Sequence, residues 1–213
     1  MLVPRISDQH TLTSFNSPGI QENIMKFALE ENAWSDNKQI PVVQVYLAWN
    51  ANFLFVNFRV EENEIRAVTS RNNEAVWEDS CVELFISPEK DSGYYNFEFS
   101  CIGTCLLAYG TGRENREYAP DELIEKIARF SSLGNYPFPK RPFSGLWELT
   151  LAIPPQAFFK HSFPAFTPSA WKANFYKCGD KLSSPHFLSW KKILAPAPDF
   201  HRPEFFGSIR LAD

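Results

Sequence analysis

CVELFI (Cys81 to Ile86), a loop holding Pro88 and Gly93, and then YYNFEFSC (Tyr94 to Cys101) form the stretch that decides the fold. Both segments alternate apolar and polar residues with the period of a β-strand. In the first, Val82, Leu84 and Ile86 share one face and Glu83 looks the other way. In the second, Tyr95, Phe97, Phe99 and Cys101 face a core while Tyr94, Asn96, Glu98 and Ser100 face out. Paired as a hairpin, the two would set Glu83 nearly opposite Glu98, with Asn96 beside them and Trp77 at the strand entrance. Like charges so placed destabilise a sheet. Such a pair calls for a compensating cation, a shifted pKa or a hydroxyl-rich ligand.

The same period runs outward from this hairpin. VVQVYLAW (Val42 to Trp49) and FLFVNFRV (Phe53 to Val60) flank the turn-forming Asn50-Ala51-Asn52 and read as a second hairpin. A polar stretch from Glu61 to Glu74 follows. WELTLAI (Trp147 to Ile153), WKANFYKC (Trp171 to Cys178) and GSIRL (Gly207 to Leu211) supply further strands. DELIEKIARF (Asp121 to Phe130) is the one helix candidate, entered through Pro120. Eleven of the 16 prolines lie from Pro137 onward, which implies short strands joined by stiff loops. The pattern spells an all-β chain, an antiparallel β-sandwich of jelly-roll or immunoglobulin-like type with one short helix, built as a single domain over 1–213.

Composition excludes several classes. With 21 basic and 25 acidic side chains the net charge is −4, which leaves no electrostatic footprint for nucleic acid or an anionic membrane. No run approaches the roughly 20 apolar residues of a membrane helix. Arg5 and Asp8 interrupt the start where a signal peptide needs a continuous apolar stretch, so the chain reads as cytoplasmic or as a mature form whose leader was removed. The 33 aromatic residues (20 Phe, 7 Tyr, 6 Trp) exclude disorder. The four cysteines include no close CxxC pair, and Cys101-x-x-x-Cys105 has no His cluster beside it. They read as small buried thiols rather than a structural zinc site. Asp79 is a candidate ligand for a structural calcium, although no EF-hand loop is present. GxSxG, P-loop and HExxH motifs are all missing.

VWEDSCVELFISP, GYYNFEFSCIGT, WELTLAIP, LSW and FHRPEFFGSIRL, in this order, resemble the carbohydrate-binding modules of family 9 and their DOMON-like relatives, over roughly Ala33 to the C-terminus. The resemblance implies a β-sandwich that binds sugars without catalysis, often with structural calcium, in the setting of plant-polysaccharide breakdown. It implies a sugar stacked on Trp77 and hydrogen-bonded by Glu83. The sequence departs from the family pattern twice. A second tryptophan is expected just ahead of the C-terminal segment, where this chain has Asp199-Phe200-His201-Arg202, leaving Phe200 or His201 as the second wall. A basic residue is expected on the YYNFEFS strand, where Glu98 stands.

The remaining ligand-facing candidates are Asn96 and Glu98 beside Glu83, the amide of Asn174, Trp190 as an alternative second platform, and Arg202 as a donor to a sugar or to Glu83. Trp34, Trp49, Trp147 and Trp171 fall at apolar phases and read as core. Two other functions stay open. Glu83 and Glu98 could serve as the carboxylate pair of a glycoside hydrolase, since cross-strand neighbours approach the separation that retaining hydrolysis needs. Some DOMON-like domains bind haem through Met and His, but Met1 and Met25 are the sole methionines and lie outside the strands that carry the resemblance.

Overall fold

The computed structural model describes residues 1–15, 24–34, 40–88 and 92–212. They form two packed β-sheets. The larger one runs in the order β1 (Leu2–Val3), β13 (Gly207–Leu211), β11 (Ser169–Cys178), β5 (Cys81–Pro88), β6 (Tyr94–Ser100), β7 (Cys105–Gly110) and β8 (Glu117–Tyr118), with β12 (Phe187–Ser189) also paired to β11. The smaller one runs β2 (Met25–Ala28), β3 (Val42–Trp49), β4 (Leu54–Ala67), β10 (Phe138–Ile153) and β9 (Ala128–Ser131). Every pairing is antiparallel except β1 with β13.

The alternating strands put one apolar face of each sheet into a shared interior. Val82, Leu84, Ile86, Tyr95, Phe97 and Phe99 meet Val45, Phe58, Trp147, Leu149 and Leu151 there. Of the tryptophans read as core, Trp49, Trp147 and Trp171 are buried, and Trp34 is half-buried. The interior also holds charge. Lys177 of β11 is paired at 3.0 Å with Glu62 of β4 and donates to His186 Nε2 at 2.8 Å, while the Trp147 indole donates to Glu62 at 2.7 Å.

The sandwich expected from the sequence is present, with differences in its elements. The helix expected over Asp121 to Phe130 stops at Ile124, because Ala128–Ser131 is claimed as an edge strand by β10, Ala128 facing Ala152. A second four-residue helix spans Leu12–Phe15. The polar stretch from Glu61 to Glu74 opens as the outer half of the 14-residue β4, which pairs with the 16-residue β10 and ends at Ala67, and only the residues after Ala67 lie outside a strand. Polar side chains at Glu61, Asn63 and Glu64 are compatible with a strand when a partner satisfies its backbone.

Candidate functional site

The outward face of the large sheet is not solvated as its alternation suggests. All seven residues of β6 are buried, because the proline-rich segment after β12 folds back across the sheet. Ile193 and Phe206 from this segment pack on Phe85, Tyr94 and Tyr176. Val76, Leu106 and Ala108 make a second apolar patch with Cys81 and Cys178. Between these covers a cleft of about 200 Å³ stays open.

Its floor is the pair foreseen from the hairpin register. Glu83 faces Glu98 directly across β5 and β6, and both are buried. Asn96 Nδ2 donates to Glu98 Oε1 at 2.8 Å, and the Cys178 thiol lies 3.1 Å from Glu83 Oε1. Burial above all, with Cys178 and Glu98 adding to it, raises Glu83 well above the usual carboxylate range. Burial raises Glu98 to about 7, against the Asn96 hydrogen bond and the charge of Arg116. The floor is therefore a set of protonatable oxygens and an amide, able to donate as well as accept.

The cation missing from the β6 strand arrives from a loop. Arg116, in the turn between β7 and β8, donates from Nε to Asn96 Oδ1 at 2.9 Å and from Nη2 to the Tyr94 carbonyl at 3.0 Å, and stacks 4.4 Å above the Tyr94 ring. Sequence reading missed it, along with Arg113, Asp180, Cys178, Phe187 and Tyr118, all of which line the cleft. The one available signal was the GTGRENR loop (Gly110 to Arg116), where glycines and two arginines follow the strand beside Glu98.

The walls are aromatic. Trp77 sits in a single 3-10 turn, Val76–Glu78, and is 38% exposed. Phe200 also lines the cleft, held parallel to Tyr176 at 4.1 Å between ring centres and backed by Trp34 at 5.9 Å. His201 lines it too, its Nδ1 hydrogen-bonded to the Tyr94 hydroxyl at 2.8 Å. Burial, reinforced by Arg116 and Arg113, pushes the His201 imidazole down to about 3, so it is neutral.

Thus Trp77, Glu83, Asn96, Glu98, Phe200 and His201 come together. Four other candidates are corrected. The Asn174 amide clamps the backbone of Lys191, donating to its carbonyl at 3.0 Å and accepting from its N–H at 2.9 Å, and does not reach the cleft. Trp190 packs on Phe27 and Phe175, on the core side of β11. Arg202 is paired with Glu204 at 2.7 Å rather than with Glu83. Asp79 is fully buried, and its carboxylate accepts from Arg66 at 2.5 Å and from the amides of Val68 and Thr69 at 3.0 and 2.9 Å. A carboxylate ringed by donors has no lone pairs directed at a calcium ion.

A sequence model of carbohydrate-binding family 9 matches residues 18–211. Among solved structures, a Bacteroides uniformis protein of proposed carbohydrate-binding function is 38% identical, with a TM-score of 0.93 over 100% of this chain and 98% of that one. A family 9 carbohydrate-binding module from Caldicellulosiruptor kristjanssonii in complex with cellotriose shares the fold at 13% identity, with a TM-score of 0.58 over 99% and 92% of the two chains. Its complex with glucose aligns at 14% identity and a TM-score of 0.58, over 100% and 95%. A search of curated proteins finds no match.

Proposed function

Because the chain belongs to carbohydrate-binding family 9, we propose that it is a non-catalytic sugar-binding domain whose ligand lies in the cleft on Trp77. The observation that carries the assignment to this cleft is the buried row Glu83, Glu98 and Asn96 beneath an exposed tryptophan. A pyranose presents an apolar C–H face for the indole and hydroxyls at its rim for the carboxyls and amide. The relatives solved with glucose and cellotriose make gluco-configured sugars the first ligands to try, in keeping with a role beside polysaccharide breakdown.

Binding rather than hydrolysis is favoured by the comparisons, since the matching family and the similar solved structures are all described by carbohydrate binding.

Calorimetric titration with glucose, xylose and their β-1,4-linked oligomers tests the reading. Trp77→Ala and Glu83→Gln should each weaken binding by about tenfold or more. If no sugar in the panel binds, or if affinity is the same in Trp77→Ala, the assignment is wrong.

A further inference from the structure

The cleft floor carries one feature that stacking and hydroxyl recognition leave unused. On adjacent antiparallel strands Cys81 stands directly opposite Cys178. Glu83, two residues further along β5, shares the same face. Cys178 Sγ is 3.1 Å and Cys81 Sγ 3.9 Å from Glu83 Oε1. All three donor atoms lie within 4.8 Å of one another, and all three residues are buried. Among the described residues, no other trio of His, Cys, Asp or Glu is gathered this closely.

That spacing matches a metal's needs. A tetrahedral zinc ion, with bonds of about 2.3 Å to sulfur and about 2.0 Å to oxygen, holds a sulfur and an oxygen roughly 3.5 Å apart. The two sulfur–oxygen distances in the structure fall on either side of that value. The donors are two thiols and one carboxyl, which suit zinc and other thiophilic ions. Calcium takes oxygen ligands alone.

We propose that Cys81, Glu83 and Cys178 form a three-ligand site for a thiophilic divalent cation, zinc in the first instance, with its fourth position open to the cleft. Glu83 and Cys178 line the cleft, which gives the ion a route from solvent. Val76, Leu106 and Ala108 flank the two cysteines with apolar surface. Burial keeps the thiols protonated, Cys81 being raised to about 12. The ion therefore takes the place of two thiol protons and one carboxyl proton, which pass to solvent. The separation in sequence that argued against a metal site is removed by the register of β5 and β11. This inference does not rest on the sugar reading.

The test uses the intact chain, reduced, desalted without oxygen and titrated with Co²⁺. We expect a near-ultraviolet thiolate-to-cobalt absorption that saturates at one equivalent and is abolished by one equivalent of Zn²⁺. Cys81→Ser and Cys178→Ser should each weaken Co²⁺ binding more than about a hundredfold. Glu83→Gln, which keeps both thiols and the side-chain shape, should weaken it as well. Cys105→Ala, whose thiol lies in the core between the sheets, should leave the titration unchanged. Absence of the absorption in reduced wild-type protein overturns the proposal, as does wild-type cobalt affinity in Cys81→Ser and Cys178→Ser. A thiol count of two rather than four in denatured, unreduced protein, with Cys81 joined to Cys178, also overturns it. Sugar calorimetry on the same metal-free sample separates this outcome from failure of the sugar site.

Discussion

Glu98 shows most plainly how far a single position could be read. Its place opposite Glu83 followed from period-two alternation, because strand geometry leaves only one partner once the hairpin is drawn. Its burial did not follow, since the cover comes from a proline-rich segment about a hundred residues away in sequence. Burial has a thermodynamic consequence. With its folded pKa raised from 4.5 to about 7, Glu98 binds a proton more tightly in the folded state, so its contribution is complete below pH 4.5 and is lost as pH rises toward 7. The neutral histidines His186 and His201, pushed down to about 2 and about 3, act in the opposite sense. They bind protons only on unfolding, so their contribution is lost as pH falls below 6.5. The sign for Glu98 therefore emerges in a difference. In metal-free buffer, the stability of Glu98→Gln relative to wild type should rise from pH 4.5 to 7, by at most about 3 kcal/mol, measured by urea unfolding at each pH. A flat difference would refute the assignment. Asn174 and Trp190 mark the limit of reading by residue: the phase of a strand says which face a side chain takes, not which loop has already claimed it.

At the scale of elements, the sequence was most legible where both strands of a pair were close in the chain. The hairpin of β3 and β4 was read correctly because Asn50 signals its own turn, accepting from the amides of Asn52 and Phe53 at 2.9 and 2.8 Å. The expected helix failed where a distant strand, β10, offered Ala128–Ser131 a ladder. Four helical residues have little to set against that. Arg116 was missed for a related reason: its loop gains order by reaching back to β6. The strand β13 supports a prediction of its own. A Cβ on Gly207 would lie 2.6 Å from the Trp190 ring and 2.8 Å from Lys191. The indole is rigid and wedged against Phe27 and Phe175, so it cannot simply swing aside. Gly207→Ala should therefore cost about 1–3 kcal/mol, seen as a lowered Tm. An unchanged Tm would show that Trp190 has room to move.

Over the whole molecule, the two sheets are joined by more than apolar contact. Glu62 and Lys177 form an ion pair across the interior, both side chains almost completely buried. Removing one partner strands the other charge in a dry medium. Lys177→Met should destabilise the fold by about 3–5 kcal/mol in chemical denaturation. Adding Glu62→Gln should recover part of that loss, because glutamine still accepts from the Trp147 indole while carrying no charge. If the double variant is no more stable than Lys177→Met, buried charge is not the cause. The cleft lies on the same large sheet, and its parts differ in kind. Its floor belongs to β5 and β6, each hydrogen-bonded to neighbours on both edges, whereas Trp77, Arg116, Phe200 and His201 sit outside the strands, in turns or loops. Backbone amides of the floor can exchange with solvent deuterium only when the sheet itself opens, while those of the walls exchange through small local excursions. A ligand held in this cleft would then enter and leave through wall motions that leave the sandwich intact. Chains sharing this floor can differ widely in how long they retain a sugar.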